Sequence, residues 1–405
     1  MLHTVAVRGY RSLREIIVPL AGLTVVTGAN GTGKSSVYRA LRLLADCGRG
    51  EVIGSLAQEG GLESVLWAGP EQLGGARRTG TVQGTTRTRP VSLELGFASD
   101  DFGYLIDLGL PQDAGHKSLF ARDPEIKREA VFTGPRLRPA ATLVRRGRDY
   151  AEAAADSGRG FDELTRVLPT YRSVLAEYAH PAALPELAAV RDRLRGWRFY
   201  DGFRVDAAAP ARRPQVGTRT PVLSDDGSDL AAAVQTIVEA GFDDLPRAVA
   251  DAFDGATVSV AAHDGLFELQ LHQHGMLRPL RAAELSDGTL RFLLWGAALL
   301  SPRPPSLMVL NEPETSLHPD LVAPLAGMIR SAARGAQVVV VTHSAAMREH
   351  LGAADPEGSP RKRGSSEATR DCASSTEIEL YKEWGETRIN GQTTLTTPPW
   401  DWGKR

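Results

Sequence analysis

A glycine-rich segment that follows a short apolar run is the feature that most constrains the fold. The run covers residues 23–27 and predicts a strand, and residues 35–45 carry an apolar stripe that predicts a helix. In such a strand–loop–helix unit, glycines let backbone N–H groups wrap phosphates, a lysine reaches the β and γ oxygens, and a serine hydroxyl binds Mg²⁺. The sequence therefore predicts a nucleotide-binding loop. Its residues are Gly28, Ala29, Asn30, Gly31, Thr32, Gly33, Lys34, Ser35 and Ser36.

Acidic side chains follow a second apolar run further along the chain. Residues 307–310 are all apolar, and Asn311, Glu312, Pro313 and Glu314 come directly after them. Apolar strands that alternate with helices indicate a covered parallel sheet, and such sheets bind ligands at the carboxyl ends of their strands. We therefore expect Glu312 to orient or deprotonate an attacking water. For Glu314, a role at this edge and a role as a helix-entry acid stay equally open.

Two further motifs fit the same kind of site. Thr342 and His343 follow a run of four valines, which predicts that His343 contacts the γ-phosphate or the attacking water. Ser286 can cap the helix that follows it, and Gly288 lets a phosphate approach the exposed N–H groups. Each motif alone is also typical of a structural strand end or helix cap, so the prediction depends on their occurring together.

The order of predicted elements divides the chain into three parts. Residues 1–148 alternate strands and turns around the predicted loop, residues 149–253 are rich in alanine and predict helices, and residues 254–405 return to alternating strands and helices. The fold class is therefore α/β with a helical insertion or lid in the middle part. In that part we predict helices at 161–168, 170–178, 184–194 and 229–240, and an exposed connector at 210–227.

Composition excludes several classes of protein. Cys47 and Cys372 are the two cysteines and lie far apart, which excludes a disulfide scaffold and suits a reducing cytoplasm. The most apolar stretch, 290–300, has about half of the roughly 20 residues that a membrane span needs, and predicts a buried helix. No secretory signal precedes the first strand. We therefore predict a cytoplasmic protein with no membrane partner.

Charge gives little information about partners. The formal net charge of −2 does not indicate a nucleic-acid-binding protein, although it does not exclude a local basic groove. Two arginine clusters are candidates for DNA contact, with an ordinary solvated surface as the alternative. They comprise Arg136, Arg138, Arg145, Arg146 and Arg148, and Arg191, Arg193, Arg195 and Arg198.

Taken together, the motifs resemble those of the ABC-type ATPase head. The likeness is closest to the RecF and SMC branch, with its stand-alone AAA-family relatives and the OLD-type defence ATPases. It is carried, in order, by residues 28–36, 285–289, 311–319 and 342–344. Residues 7–12 are similar to the N-terminal motif of that branch, and residues 196–200 and 278–280 extend the likeness over most of the chain. The implied fold is a P-loop NTPase, an ABC/RecF-like ATPase head with a helical insertion.

This resemblance implies an ATPase that uses ATP and Mg²⁺. The implied roles are nucleotide binding for residues 28–36 and Arg11, metal binding for Ser35 and Asn311, and catalysis for Glu312 and His343. Ser286 and Gly288 would clasp the ATP of a second copy, so that a homodimer closes over two nucleotides. The resemblance further implies a role in DNA repair or maintenance or in anti-phage defence, with DNA and a separate effector or nuclease as further partners.

Three features depart from the family pattern. Asn311 stands where an aspartate is usual, so a negative charge beside Mg²⁺ is lost, which predicts weaker metal binding or slower turnover. Asp287 stands where a glycine is usual and places an acid near the expected phosphate. The glutamine that contacts magnesium stays unassigned, with candidates Gln58, Gln72, Gln83 and Gln112.

Two other functions stay open. A nucleotide-binding subunit of a membrane transporter would share most of the motifs, but Arg11 with Ser12, the helical insertion and His318 in the predicted dimer-crossing segment argue against it. A non-hydrolysing ATP sensor or scaffold would follow from Asn311. No acidic cluster with nuclease spacing follows His343, so we expect no nuclease activity in the chain itself.

Overall fold

Two compact units make up the part of the chain that the structure, a computed structural model, describes: residues 1–70, 92–111, 119–155, 157–352 and 374–403. The first unit contains Met1–Ala21, Val26–Trp197 and Ile378–Arg405, and the second contains Gly22–Val25 and Arg198–Glu377. Strand β3 (Leu23–Gly28) begins in the second unit and ends in the first. The middle part predicted from the sequence is thus divided after Trp197.

An antiparallel sheet dominates the first unit, in the strand order β2-β1-β4-β5-β6-β7-β8-β9. The strands are β1 (Leu2–Tyr10), β2 (Leu13–Pro19), β4 (Ser92–Ser99), β5 (Phe102–Gly109), β6 (Glu125–Thr133), β7 (Thr142–Arg146), β8 (Ala151–Ala154) and β9 (Phe161–Thr165). A hairpin joins β4 to β5, as the sequence predicts. Both strands are buried at every position after the first, so both faces of the sheet are covered there.

Helices and a C-terminal hairpin complete the first unit. The described helices are α1 (Lys34–Arg49), α2 (Val52–Gln58), α3 (Leu62–Val65), α4 (Val174–Glu177) and α5 (Pro185–Arg195). Gly48 lets α5 approach α1 closely, because a Cβ at this position would lie 2.5 Å from Leu194 Cβ. The hairpin pairs β17 (Ser375–Glu383) with β18 (Glu386–Ile389).

Three parallel strands lie side by side in the second unit: β10 (Arg198–Tyr200), β15 (Leu307–Asn311) and β16 (Gln337–Val341). Strand β15 lies between the others, with Leu310 opposite Tyr200 and Asn311 opposite Val341. The apolar residues of β15 and β16 are buried, as expected for a parallel sheet that is covered on both faces. All three strands therefore end at the same edge.

The second unit also contains helices and a small antiparallel sheet. Its described helices are α6 (Leu230–Glu239), α7 (Asp244–Ala252), α8 (Asp287–Leu299), α9 (Val322–Ala333) and α10 (Ala345–Gly352). The small sheet contains β11 (Gln215–Val216), β12 (Thr257–His263), β13 (Leu266–His272) and β14 (Leu280–Arg281). Short 3-10 helices of this unit cover Pro210–Arg212, Ala282–Glu284 and Pro319–Leu321, and a further one in the first unit covers Pro139–Ala141.

Helix α8 lies at the centre of the core of the second unit. Its residues from Leu290 onwards are buried except for the partly exposed Arg291, and the Trp295 ring packs edge-on against Phe203 at 5.0 Å between centroids. The predicted buried helix at 290–300 is thus confirmed. Within the described ranges, no helix combines the length and the apolar character that crossing a bilayer requires.

The predicted helix at 161–168 is wrong. Residues Phe161–Thr165 form strand β9, which pairs with β8 at the end of the large sheet. Pairing to an available strand edge outweighs the helix propensity of this alanine-rich region, and the Arg145 guanidinium covers the Phe161 ring at 4.0 Å. Of the predicted helix at 170–178 a single turn forms, α4, whereas α5 and α6 confirm the other two predictions.

The segment 210–227 is also more than an exposed connector. Ala211, Arg212 and Leu223 are buried, and Gln215–Val216 pairs with β13. The predicted hairpin at Asp264 and Gly265 is confirmed, with positive φ at both turn residues.

Candidate functional site

Glycines determine the shape of the predicted nucleotide loop. Gly28, Gly31 and Gly33 have φ angles of 142°, 77° and 108°, a region that favours glycine. Gly33 precedes the first residue of α1 and offers no side-chain cap, so the first N–H groups of this 16-residue helix are open to an anion. Ala29, Asn30, Gly31 and Ser35 are exposed. The loop therefore has the shape and the donors of a phosphate site.

Lys34 lies back across this loop. Its ammonium group donates to the carbonyl oxygens of Gly28 at 2.7 Å and Ala29 at 3.0 Å, and the residue is buried. The Thr32 hydroxyl donates to the same Ala29 carbonyl at 2.8 Å. Lys34 thus adds a positive charge to the N-terminus of α1, where phosphate binding needs it.

Strand β18 supports the loop from outside through Thr387, a residue that the sequence analysis missed. The Thr387 hydroxyl oxygen lies 2.7 Å from Thr32 O and 2.8 Å from Ser12 Oγ, and Thr387 is fully buried. A Cβ at Gly33 would lie 2.2 Å from this oxygen, so packing as well as φ requires glycine there. The contact ties Ser12 of the N-terminal motif to the loop.

The adjacent Arg11 pairs with Glu59, the residue that follows the end of α2. Its φ is 50°, and its guanidinium donates to Glu59 at 2.6 Å, while the Tyr10 hydroxyl donates to the same carboxylate. A nucleotide contact by Arg11 stays a prediction. Of the candidate glutamines, Gln58 is the exposed last residue of α2. The other three, Gln72, Gln83 and Gln112, lie outside the described residues.

In the second unit, the end of β15 places Glu312 beside His343. Glu312 has a φ of 47°, an unfavourable value for a non-glycine residue, and its N–H donates to Val341 O at 2.7 Å. Glu312 Oε1 lies 3.1 Å from His343 Nδ1, and both side chains are partly exposed. Backbone strain of this kind is concentrated at functional sites. The two predicted catalytic residues are therefore in contact with each other.

Glu314 contacts the residue that precedes His343. The Thr342 hydroxyl donates to Glu314 Oε1, and Thr342 is fully buried. Thr342 also accepts from Ser344 N–H at 2.9 Å, which shapes the turn after β16. Glu314 Oε2 is buried and has no hydrogen-bond partner among the described residues. This favours a role for Glu314 in positioning the His343 turn.

Oxygen ligands for a metal are available at the same strand ends. Asn311 ends β15, Glu312 follows it, and the Asn311 amide donates to the carboxylate of Asp201 at 2.5 Å. Carboxylate and amide oxygens are the donors that Mg²⁺ prefers, and this ion typically takes one or two carboxylates in addition to water and phosphate oxygens. The chemistry of Asn311 and its acidic neighbours fits a magnesium ion. Taken by itself, the exposed Ser35 hydroxyl of the first unit is also a suitable oxygen donor.

Ser286 caps helix α8 as the sequence predicts. Its Oγ accepts from Thr289 N–H at 3.1 Å, and a Cβ at Gly288 would meet no atom within 4 Å. The turn before it is fixed by Glu284, which accepts two hydrogen bonds from Arg278 and one from Arg281 N–H. The hydrogen bonds from Arg278 are the main cause that lowers the pKa of Glu284 to about 2, so the carboxylate stays ionised in mildly acidic solution as well. Hydrogen bonds therefore fix the conformation of the exposed residues at the start of α8.

The unusual Asp287 has a cationic partner. Arg212, which is 8% exposed, donates to Asp287 Oδ1 at 2.6 Å and to Leu285 O at 2.7 Å. It also donates to Val205 O at 2.9 Å, so it links the segment before α6 to the segment before α8. The acid near the predicted phosphate position is therefore compensated by an ion pair.

The arginine clusters have internal partners. Arg146 is fully buried and pairs with the equally buried Glu129 at 3.0 Å, so it cannot contact DNA. Arg145 pairs with Glu152 at 2.7 Å, and Arg193 pairs with Asp101 at 2.8 Å. Arg195 donates to Gly48 O at 2.8 Å. These contacts favour a structural role for the four arginines named here.

Fold and motifs together define a P-loop NTPase with an ABC-like fold. Residues 23–347 match the model of the family described as "AAA domain, putative AbiEii toxin, Type IV TA system". The match spans most of the chain, so the chain belongs to this family of AAA-type ATPases.

Three solved structures are similar to this chain. The chain is similar to an Smc head bound to the C-winged helix domain of ScpA, at 14% identity over 97% of this chain and 98% of that chain, with a TM-score of 0.49. It is similar to an Smc head with an extended coiled coil bound to the C-terminal domain of ScpA, derived from Pyrococcus furiosus, at 12% identity, 96% and 95% coverage and a TM-score of 0.46. An SMC head domain from Thermotoga maritima has 12% identity, 96% and 97% coverage and a TM-score of 0.40. Comparison with curated proteins gave no match.

Proposed function

We propose that the chain binds ATP with Mg²⁺, hydrolyses the ATP, and closes into a homodimer around two nucleotides. The observation that carries this proposal is the contact between Glu312, in a strained backbone conformation, and His343 at the ends of two parallel strands. A sensor that never hydrolyses ATP would not need a carboxylate oriented in this way. The family of AAA-type ATPases supports the reaction class.

Binding of the nucleotide falls to the loop of the first unit. Lys34 would exchange its two carbonyl partners for phosphate oxygens, and the N–H groups at the start of α1 would complete the anion site. A bound magnesium ion would neutralise part of the charge that develops on the phosphates. Ser35 and Asn311 are the residues proposed to contact it.

Hydrolysis falls to the acid–histidine pair of the second unit. Glu312 would accept a proton from the attacking water. The His343 ring, with Nδ1 at 3.1 Å, keeps the carboxylate in one orientation and leaves Nε2 as its second polar atom. Glu312 is therefore the proposed general base, and His343 orients it and senses the γ-phosphate.

Dimerisation would complete each site with Ser286 and Gly288 of the second copy. Both residues lie at the start of α8, where Ser286 is exposed and Gly288 leaves space around its backbone. The N-terminus of a 13-residue helix favours an anionic partner. The negative charge of Asp287 is offset by Arg212, which supports this assignment.

A mixing experiment tests the composite site. We expect Lys34→Met and Ser286→Arg to be inactive separately, because one lacks the phosphate lysine and the other blocks the clasp. A 1:1 mixture should recover about a quarter of the wild-type rate, since half of the dimers would then contain one intact site out of two. Melting temperatures verify that both variants fold. An inactive mixture of folded variants would exclude the sandwich model.

The biological setting belongs to this proposal as well. The family description refers to a toxin of a type IV toxin–antitoxin system, which supports a defence role, and the likeness to the RecF branch supports one in DNA maintenance. We favour an ATP-driven switch whose closed dimer recruits DNA or a separate effector.

A further inference from the structure

Asn311, which stands where an aspartate is usual, has an acidic neighbour at the end of the adjacent strand. Asp201 follows the last residue of β10, and Tyr200 lies opposite Leu310 in the parallel register. Asp201 therefore stands opposite Asn311. The Asn311 Nδ2 donates to Asp201 Oδ1 at 2.5 Å, across 110 residues of sequence.

This contact determines which atoms face the site. With Nδ2 directed at Asp201, the Asn311 Oδ1 becomes the available acceptor. The second oxygen of Asp201 also stays available, since Asn311 is the one hydrogen-bond partner of this carboxylate among the described residues. The pair together therefore offers one negative charge and two oxygen acceptors.

Two other exposed aspartates of this unit have an arginine partner, which Asp201 lacks in the described part of the chain. Asp206 forms a bidentate pair with Arg204 at 2.6 and 3.0 Å, and Asp287 pairs with Arg212. Asp201 has no Lys or Arg partner within the described residues, although it lies next to the site of Glu312. An acid that stays uncompensated at the ligand edge of a parallel sheet is available for a cation.

We propose that Asp201 supplies the negative charge that Asn311 lacks, so that the Asp201–Asn311 pair acts as the carboxylate of the metal site. The proposal rests on the proposed ATPase function. It replaces the expectation of weaker metal binding with a specific one: the charge is present but comes from the neighbouring strand. An ordinary strand-end hydrogen bond would make the same contact without affecting a metal.

Exchange of the two side chains tests this directly. In a Glu312→Gln background that prevents turnover, Mn²⁺ affinity in the presence of ATP is measured by titration with electron paramagnetic resonance. We expect Asp201→Asn to weaken Mn²⁺ binding by about tenfold or more, as loss of a ligand-orienting carboxylate does. The exchanged variant Asp201→Asn with Asn311→Asp should return to within about threefold of the parent. Asp206→Asn is the matched control and should leave the Mn²⁺ affinity unchanged.

The outcomes separate this inference from the function on which it rests. If the parent binds no nucleotide, the proposed function fails. If the parent binds Mn²⁺ with ATP and a folded Asp201→Asn variant binds Mn²⁺ equally well, the proposed role of Asp201 is wrong, but the proposed ATPase function is not affected. Should Asp201→Asn not fold, the exchanged variant decides: parent-like affinity supports the inference, and a loss of about tenfold or more overturns it.

Discussion

Replacement of Glu312 by glutamine is expected to reduce steady-state ATP turnover by about a thousandfold, within the range that a general base contributes. Glutamine has nearly the same shape, so it can occupy the position with φ of 47° and still accept a hydrogen bond from His343 Nδ1. It cannot take a proton from water. ATP affinity should therefore stay within about threefold of the wild type, because the side chain contributes mainly in the transition state.

Phosphate release and equilibrium ATP binding, measured on the same preparation, check this prediction. Glu349→Gln is the matched control, since it removes an exposed carboxylate from α10 of the same unit. It should leave both quantities unchanged. Turnover of Glu312→Gln within about tenfold of the wild type would mean that another group activates the water.

Lys34→Met should weaken ATP binding by about 100-fold, which corresponds to loss of a charged hydrogen bond of about 3 kcal/mol. Methionine can follow the path of the lysine stem but provides no donor for phosphate. The Gly28 and Ala29 carbonyl groups would each lose the lysine donor, although Ala29 would keep its hydrogen bond from the Thr32 hydroxyl, so the empty loop should become less ordered.

Titration calorimetry with ATP and a melting curve test this second prediction. Arg159→Met, in the exposed turn between β8 and β9 at the end of the large sheet, removes a positive charge from the same unit and should leave affinity unchanged. Wild-type affinity in folded Lys34→Met would contradict the assignment of the loop.

Much of the fold was predictable because local patterns determine it. Strands β3, β15 and β16 are apolar runs bounded by polar turns, and the glycines at 28, 31 and 33 match the φ angles that the loop requires. The contact of Glu312 with His343 also follows from a simple rule, since parallel strands end at one edge.

Features that depend on distant partners were not predictable. Strand β9 forms because an edge of the large sheet is available, which the alanine-rich sequence around it does not indicate. Thr387 supports Thr32 across 355 residues, and Asp201 reaches Asn311 across 110. Arg212 lies in a segment that has no periodic pattern, although a buried arginine next to an unusual aspartate could have been sought once Asp287 was noticed.

The central claim is that ATP joins two copies of this chain and that Glu312 then cleaves the bound ATP. Light-scattering measurement of mass after size exclusion, on Glu312→Gln with and without ATP and Mg²⁺, tests it most directly. We expect a monomer without nucleotide and a persistent dimer with ATP, and addition of DNA shows whether the closed dimer retains DNA. A Glu312→Gln protein that binds ATP but stays monomeric would show that ATP does not join two copies.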